Sequence, residues 1–204
     1  MTTARDLLIV SMDVTTADQS VQQGELSLAL AGAELLDLAD AFALTLEGDR
    51  IVPAPTAPLD LADRQSTEAA AALSRQEPYE TVEDWLWRRG RGLYAAHLAA
   101  LEADGGVTPQ HRHWLPLRTE RKAVADSPDR RAAVERWTSG EPVLAALALA
   151  ARLRDEPVED LAGHAGDTVV TVVTAVDDAV TELVAVRQRR AIENAAFDNI
   201  WRGQ

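Results

Sequence analysis

Apolar positions recur along this chain mostly at helical spacing. Thr3 reads as an N-cap for a first helix carrying Leu7, Leu8 and Val10 to Met12, and the polar stretch from Asp13 to Gln23 reads as a loop. From about Glu25 to Ala41, Leu28, Leu35, Leu36 and Leu38 predict a second helix with Glu34, Asp37 and Asp40 on its outside. Phe42 to Pro53 then alternates around Glu47-Gly48-Asp49, which predicts a β-hairpin. Pro53, Pro55 and Pro58 mark a loop, and a third helix is expected over Leu59 to Arg75.

Thr81-Val82-Glu83-Asp84 has the form of a capping box. It predicts a helix from Val82 to Arg89 that pauses at Gly90 and Gly92, resumes from Leu93 to Ala103 and stops at Asp104-Gly105-Gly106. Val107 to Val124 suits a short hairpin or extended turn. Ser127-Pro128 reads as an N-cap with proline at the first helical position, opening a helix to Thr138. After the break at Ser139 to Pro142, Val143 to Arg154 is apolar nearly all round and is expected to be the buried central helix. Val169 to Val173 is β-branched and fits a strand. The pattern nevertheless continues at helical spacing through Val176, Val180, Leu183 and Val184, so helix is the prediction, followed by an amphipathic helix from Arg187 to Trp201. The expected fold class is mainly α: a single compact helical domain over residues 1–204 with small β-hairpins.

Composition narrows the function. The chain has no cysteine, which removes disulfides, thiolate zinc sites and thiol nucleophiles and fits a reducing cytoplasm. No signal peptide is visible, and the longest apolar run, Val143 to Ala151, is about half of what a membrane span requires. The net charge of −13 is unevenly spread: residues 1–85 carry −12, residues 86–137 carry +4 and residues 138–204 carry −5. A basic middle in an acidic chain suggests a local anion-binding face, or equally a set of cations that neutralises acidic neighbours within the fold.

No phosphate-binding glycine loop, nucleophile elbow or dinucleotide fingerprint occurs, and no catalytic residue or cofactor is predicted. His111 and His113 share a face if extended, but lack further ligands at a familiar spacing, so no metal site is predicted. Asp177-Asp178 reads as surface. The informative segment is Trp85 to Tyr94. Trp85 and Trp87 point in different directions on a helix, so one can enter the core while the other stays near the surface. Arginine offers planar, multidentate donors to phosphate oxygens, and tryptophan suits a half-wet interface. Trp87, Arg88, Arg89 and Arg91 are therefore the candidate phosphate or lipid-headgroup residues. A second basic run, Arg112-His113-Trp114 through Arg118, Arg121 and Lys122, would extend that face.

The order of these segments resembles the Golgi phosphoprotein 3 family, including its bacterial members, over roughly residues 5–155. Leu7 to Asp13 is similar to the family's opening helix. Leu30-Ala31-Gly32-Ala33-Glu34-Leu35-Leu36-Asp37-Leu38-Ala39 resembles its Leu-Arg-Gly-x-x-Leu-x-Glu-Leu-Ala helix. The hairpin Leu44 to Val52, the segment Thr56 to Asp60, the element Thr81-Val82-Glu83-Asp84-Trp85, the turn at Gly106-Val107 and the helix Val143 to Leu153 follow in the family's order. The resemblance implies an α-rich single domain; the family's eukaryotic members are non-enzymatic peripheral membrane adaptors that bind phosphatidylinositol 4-phosphate and protein tails. It places Trp85 in the core and associates the later hairpin, here His111 to Leu117, with self-association. Residue by residue, the family's pocket tryptophan falls near Gln22, its helix arginine is Ala31, and of two later arginines one aligns near Arg91 and the other near Tyr94.

The expected function is thus a peripheral binding or adaptor protein whose candidate ligand is an anionic phospholipid headgroup. A protein partner, no nucleic acid and self-association are expected beside it. The alternative is a soluble protein-interaction module that keeps the fold without the lipid. A winged-helix-like regulator ranks below both, because the acidic helix from Glu25 to Asp40 makes a poor recognition helix.

Overall fold

A computed structural model of the chain describes residues 2–14, 23–56, 61–110, 121–156 and 166–202. In chain order its elements are α1 (Thr3–Val14), α2 (Gln23–Asp40), β1 (Leu44–Glu47), β2 (Arg50–Pro53), α3 (Arg64–Ala71), α4 (Val82–Arg89), α5 (Leu93–Ala103), β3 (Val107–Gln110), β4 (Arg121–Val124), α6 (Pro128–Thr138), α7 (Pro142–Ala150) and α8 (Asp167–Arg202). The two strand pairs are separate antiparallel hairpins, with Leu44 opposite Pro53 and Val107 opposite Val124. This is the mainly α architecture with small hairpins that the sequence predicts.

The centre is α2, which packs against α1, α3, α4, α5, α7 and α8. The apolar α7 is buried as expected, from Leu144 to Ala148 and at Ala150, but it flanks the hub instead of forming it. Small residues let the neighbours close in on α2. A Cβ added at Gly32 would lie 2.5 Å from Val176 Cγ2, so α8 crosses there at a distance that no side chain on α2 would permit. α8 in turn buries Val172, Val176, Ala179 and Val180. That is a helical stripe, so the β-branched run is helix, and it continues without a break into the segment predicted as a separate amphipathic helix.

Local signals set most boundaries. Thr81 accepts from Asp84 N–H at 3.0 Å and Ser127 from Arg130 N–H at 3.1 Å, so both predicted caps form. α3 is shorter than predicted because Asp63 caps it, accepting from Ser66 N–H. Thr3 is not the cap of α1. Thr2 Oγ1 accepts from Arg5 N–H, and the Asp37 carboxylate of α2 accepts from the N–H groups of Thr3 and Ala4 at 2.7 and 3.0 Å. Phe42 does not begin the hairpin either. It turns the chain with φ +55 and leaves its ring 85% exposed, while the strand starts at Leu44. Among the described residues no helix is long and apolar enough to cross a membrane.

Candidate functional site

The candidate residues lie on and just after α4. Trp85 is fully buried and its indole N–H donates to the carbonyl of Ala31 at 3.0 Å, which pins α4 onto α2. Trp85 is thus the core tryptophan of the pair, and Trp87 is half-buried and packed against the core. Gly90 closes α4 where a Cβ would lie 2.6 Å from the Leu86 carbonyl oxygen, and it packs against Leu28 and Ser27 of α2. Gly92 then turns the chain with φ +72, which favours glycine, and α5 begins.

The three arginines have different surroundings. Arg88 donates through Nε and Nη2 to the two oxygens of Glu80, both at 2.7 Å, and through Nη2 to the carbonyl of Ala72. Its guanidinium also lies over the Trp85 ring, 5.2 Å from the centroid. The hydrogen bond to Glu80 pushes the Arg88 pKa further up. Arg89 reaches back to α2 and donates in a bidentate pair to Glu34, at 2.8 and 3.0 Å. Arg91 is exposed and has no carboxylate partner among the described residues. Arg88 and Arg89 are thus held by different carboxylates, and Arg91 by none among the described residues.

Glu34 corrects the expectation that the acids of α2 form a solvated face. Its side chain is 2% exposed, and besides Arg89 it accepts from His97 Nε2 at 3.0 Å. Both carboxylate oxygens are acceptors for Arg89, so His97 carries its proton on Nε2 in this contact. Asp37 is half-buried against the start of α1. Burial pushes its pKa up to about 6 against the opposing pull of the Ala4 and Thr3 N–H groups. Asp40 alone of the three is exposed. Asp177 and Asp178 are exposed, as expected.

The same pattern repeats elsewhere. Asp6 on α1 is fully buried. Burial raises its pKa, while the hydrogen bond from Arg136 pulls the other way. Arg136 also donates to Glu141, whose carboxylate caps α7 through the N–H groups of Val143 and Leu144. Glu25 of α2 is buried against Arg187 of α8. Of the arginines in residues 86–137 whose side chains are described, Arg88, Arg89, Arg130, Arg131 and Arg136 are all ion-paired and Arg91 is not. Sequence reasoning missed these pairs, although one signal was present. Leu26, Leu30 and Leu38 stand at multiples of four from Glu34, which places this glutamate on the buried stripe.

The positions where the resemblance expects a headgroup pocket differ in kind. Ala31 is completely buried under Trp85. Tyr94 is half-buried, and its backbone N–H donates to Ser27 Oγ at 3.1 Å. Gln22, the His111/His113 pair, Arg112, Trp114 and Arg118 lie outside the described residues, as do residues 57–60, while β4 is described without the side chains of Arg121 and Lys122. A cleft of about 530 Å³ opens between the start of α1 and the end of α2, with Asp37, Asp40, Ser66 and Arg136 in its wall, but none of Trp87, Arg88, Arg89 and Arg91 lines it. Among the described residues no cluster of three or more metal-ligating side chains occurs.

A family model described as Golgi phosphoprotein 3 (GPP34) matches residues 4–195. The match runs past the segment in which the resemblance was legible and takes in most of α8. No curated protein matches the chain significantly.

Proposed function

The chain belongs to the Golgi phosphoprotein 3 family, and from that premise we propose that it is a non-enzymatic binding module, an adaptor that works by contact with a protein partner. The observation that carries this reading is the internal commitment of Arg88 to Glu80 and Arg89 to Glu34. A phosphate clamp needs several charged donors free to converge on one ligand. Here two of the three candidate arginines are already satisfied by carboxylates, on different sides of α4. Releasing Arg89 would leave Glu34 buried with an uncompensated charge.

A second reading rests on Arg91, which is exposed and unpaired among the described residues. It supplies one cation to an anionic phospholipid headgroup, with Trp87 nearby in sequence. A single cation near an anionic membrane contributes about 1 kcal/mol and is screened by salt. The net charge of −13 opposes approach of the body as a whole.

Vesicle sedimentation separates the two readings. The vesicles are phosphatidylcholine alone, or mixed with phosphatidylserine or with phosphatidylinositol 4-phosphate. The adaptor reading expects no sedimentation at physiological salt with any of them. Weak low-salt binding that Arg91→Ala removes and Arg88→Ala leaves unchanged supports the second reading. Tight, salt-resistant binding to phosphatidylinositol 4-phosphate overturns the first.

A further inference from the structure

α8 is 36 residues long, and its two halves differ. The first half is anchored by its buried valines, and Arg187 ties the helix to the buried Glu25. Every residue from Gln188 to Asn194 is then exposed, and Ile192 keeps 70% of its surface open. A helical stretch that no described residue covers gains no stability from packing among them, and an exposed isoleucine on it offers apolar surface to a partner.

Charge divides the helix at the same place. Asp167 to Val186 carries four acids and no base, and Arg187 to Arg202 carries four arginines against two acids. Asp178 and Glu182 have no cationic partner among the described residues, and Arg189 and Arg190 have no carboxylate partner among them. Glu182 and Arg189 are about 10 Å apart along the helix axis, too far to pair within one chain. Asp178, Glu182, Ala185, Arg189 and Ile192 are all exposed and recur at alternating steps of four and three, so they form one straight seam. Beside the acidic half of that seam lies a groove of about 230 Å³, floored by Val82, Ala175 and Ala179 and rimmed by Asp49 and Glu83 as well as Asp178 and Glu182.

We propose that this seam is a self-association surface, on which two copies of the chain pair their α8 helices antiparallel. A two-fold axis at the height of Leu183 and Val184 sets Arg189 of one copy opposite Asp178 of the other. It sets Ile192 against Ala175, over the apolar floor of the groove. Each contact occurs twice, as a two-fold interface requires. The acidic half of one helix then faces the basic half of the other, so unpaired charges of both signs are matched in one step.

Sedimentation equilibrium of the full chain over a range of concentrations tests this. The expected result is a concentration-dependent dimer at low salt that weakens as salt rises. Arg189→Glu and Asp178→Lys each raise the dissociation constant about tenfold, because every substitution acts at two symmetric contacts. Combined in one chain they restore it to within about threefold of the parent. Ile192→Asp removes the dimer without reversing the arginine–aspartate pair. All three positions are exposed, so circular dichroism should show unchanged helix content in each variant. A monomer at every concentration in low salt, a dimer indifferent to Arg189→Glu and Ile192→Asp, or a double variant no better than the singles overturns the proposal.

Discussion

Arg89 and Arg91 are separated by one glycine and meet opposite surroundings. Arg89 ends α4 facing α2 and holds Glu34 in a bidentate pair beside His97. Arg91 sits on the turn beyond, facing solvent. Residue type is the same and sequence distance is minimal, so the difference lies in what the fold brings opposite each. The contrast extends to the whole basic middle of the chain. Part of its charge answers acids of the first two helices, where Asp6, Glu25 and Glu34 are buried and Asp37 is half-buried. Three of these acquire arginine partners from much later in the chain, and the fourth takes the start of α1.

The largest expected effect comes from breaking the buried side of the comparison. Arg89→Ala leaves Glu34 buried with only His97, and should cost about 3 kcal/mol of unfolding free energy by urea denaturation. Equal stability of the variant and the parent would remove Arg89 from the structural class. Next is pH. Burial raises the Asp37 pKa from 3.8 to about 6, so the folded state binds this proton more tightly than the unfolded chain does. The stabilisation from that proton is complete below about pH 4 and is lost as pH rises through about 6, an effect of about 3 kcal/mol. Asp6 shifts in the same direction, also through burial. Asp37→Asn should flatten the urea midpoint over this window, and an unchanged profile would contradict the assignment.

Smaller effects sharpen the same contrast on the surface. Arg88 is about half exposed in its pair with Glu80, so Arg88→Ala should cost less than about 1 kcal/mol. Arg91→Ala should leave stability within about 0.5 kcal/mol of the parent. A loss at Arg91 as large as that at Arg89 would show that exposure does not separate them.

Much of this fold is legible in the sequence because its signals are local. Thr81, Ser127 and Pro128 act through residues three or four positions away, and the hairpin turn at Gly48 and Asp49 needs only its flanking alternation. The indole of Trp85 likewise goes where the family resemblance puts it. The site was harder to read because its partners are distant. Glu34 meets Arg89 across 55 positions, Asp6 meets Arg136 across 130, and Glu25 meets Arg187 across 162. An acid every third position on a helix reads as a solvated face until those partners are known. The same gap moved the centre of the fold from the apolar α7 to α2, whose buried charges disguise its burial. Residues 88 to 91 read as one cluster because they are adjacent in sequence, whereas Glu80 and Glu34 hold Arg88 and Arg89 separately.

The central claim is that Arg89 belongs to Glu34 and not to a ligand. A double-mutant cycle with Arg89→Met, Glu34→Leu and both together, measured by urea unfolding, tests it most directly. The expected coupling is at least about 1.5 kcal/mol, with the double variant more stable than Arg89→Met alone because no charge is left buried. A coupling near zero, with the two losses simply adding, would contradict it.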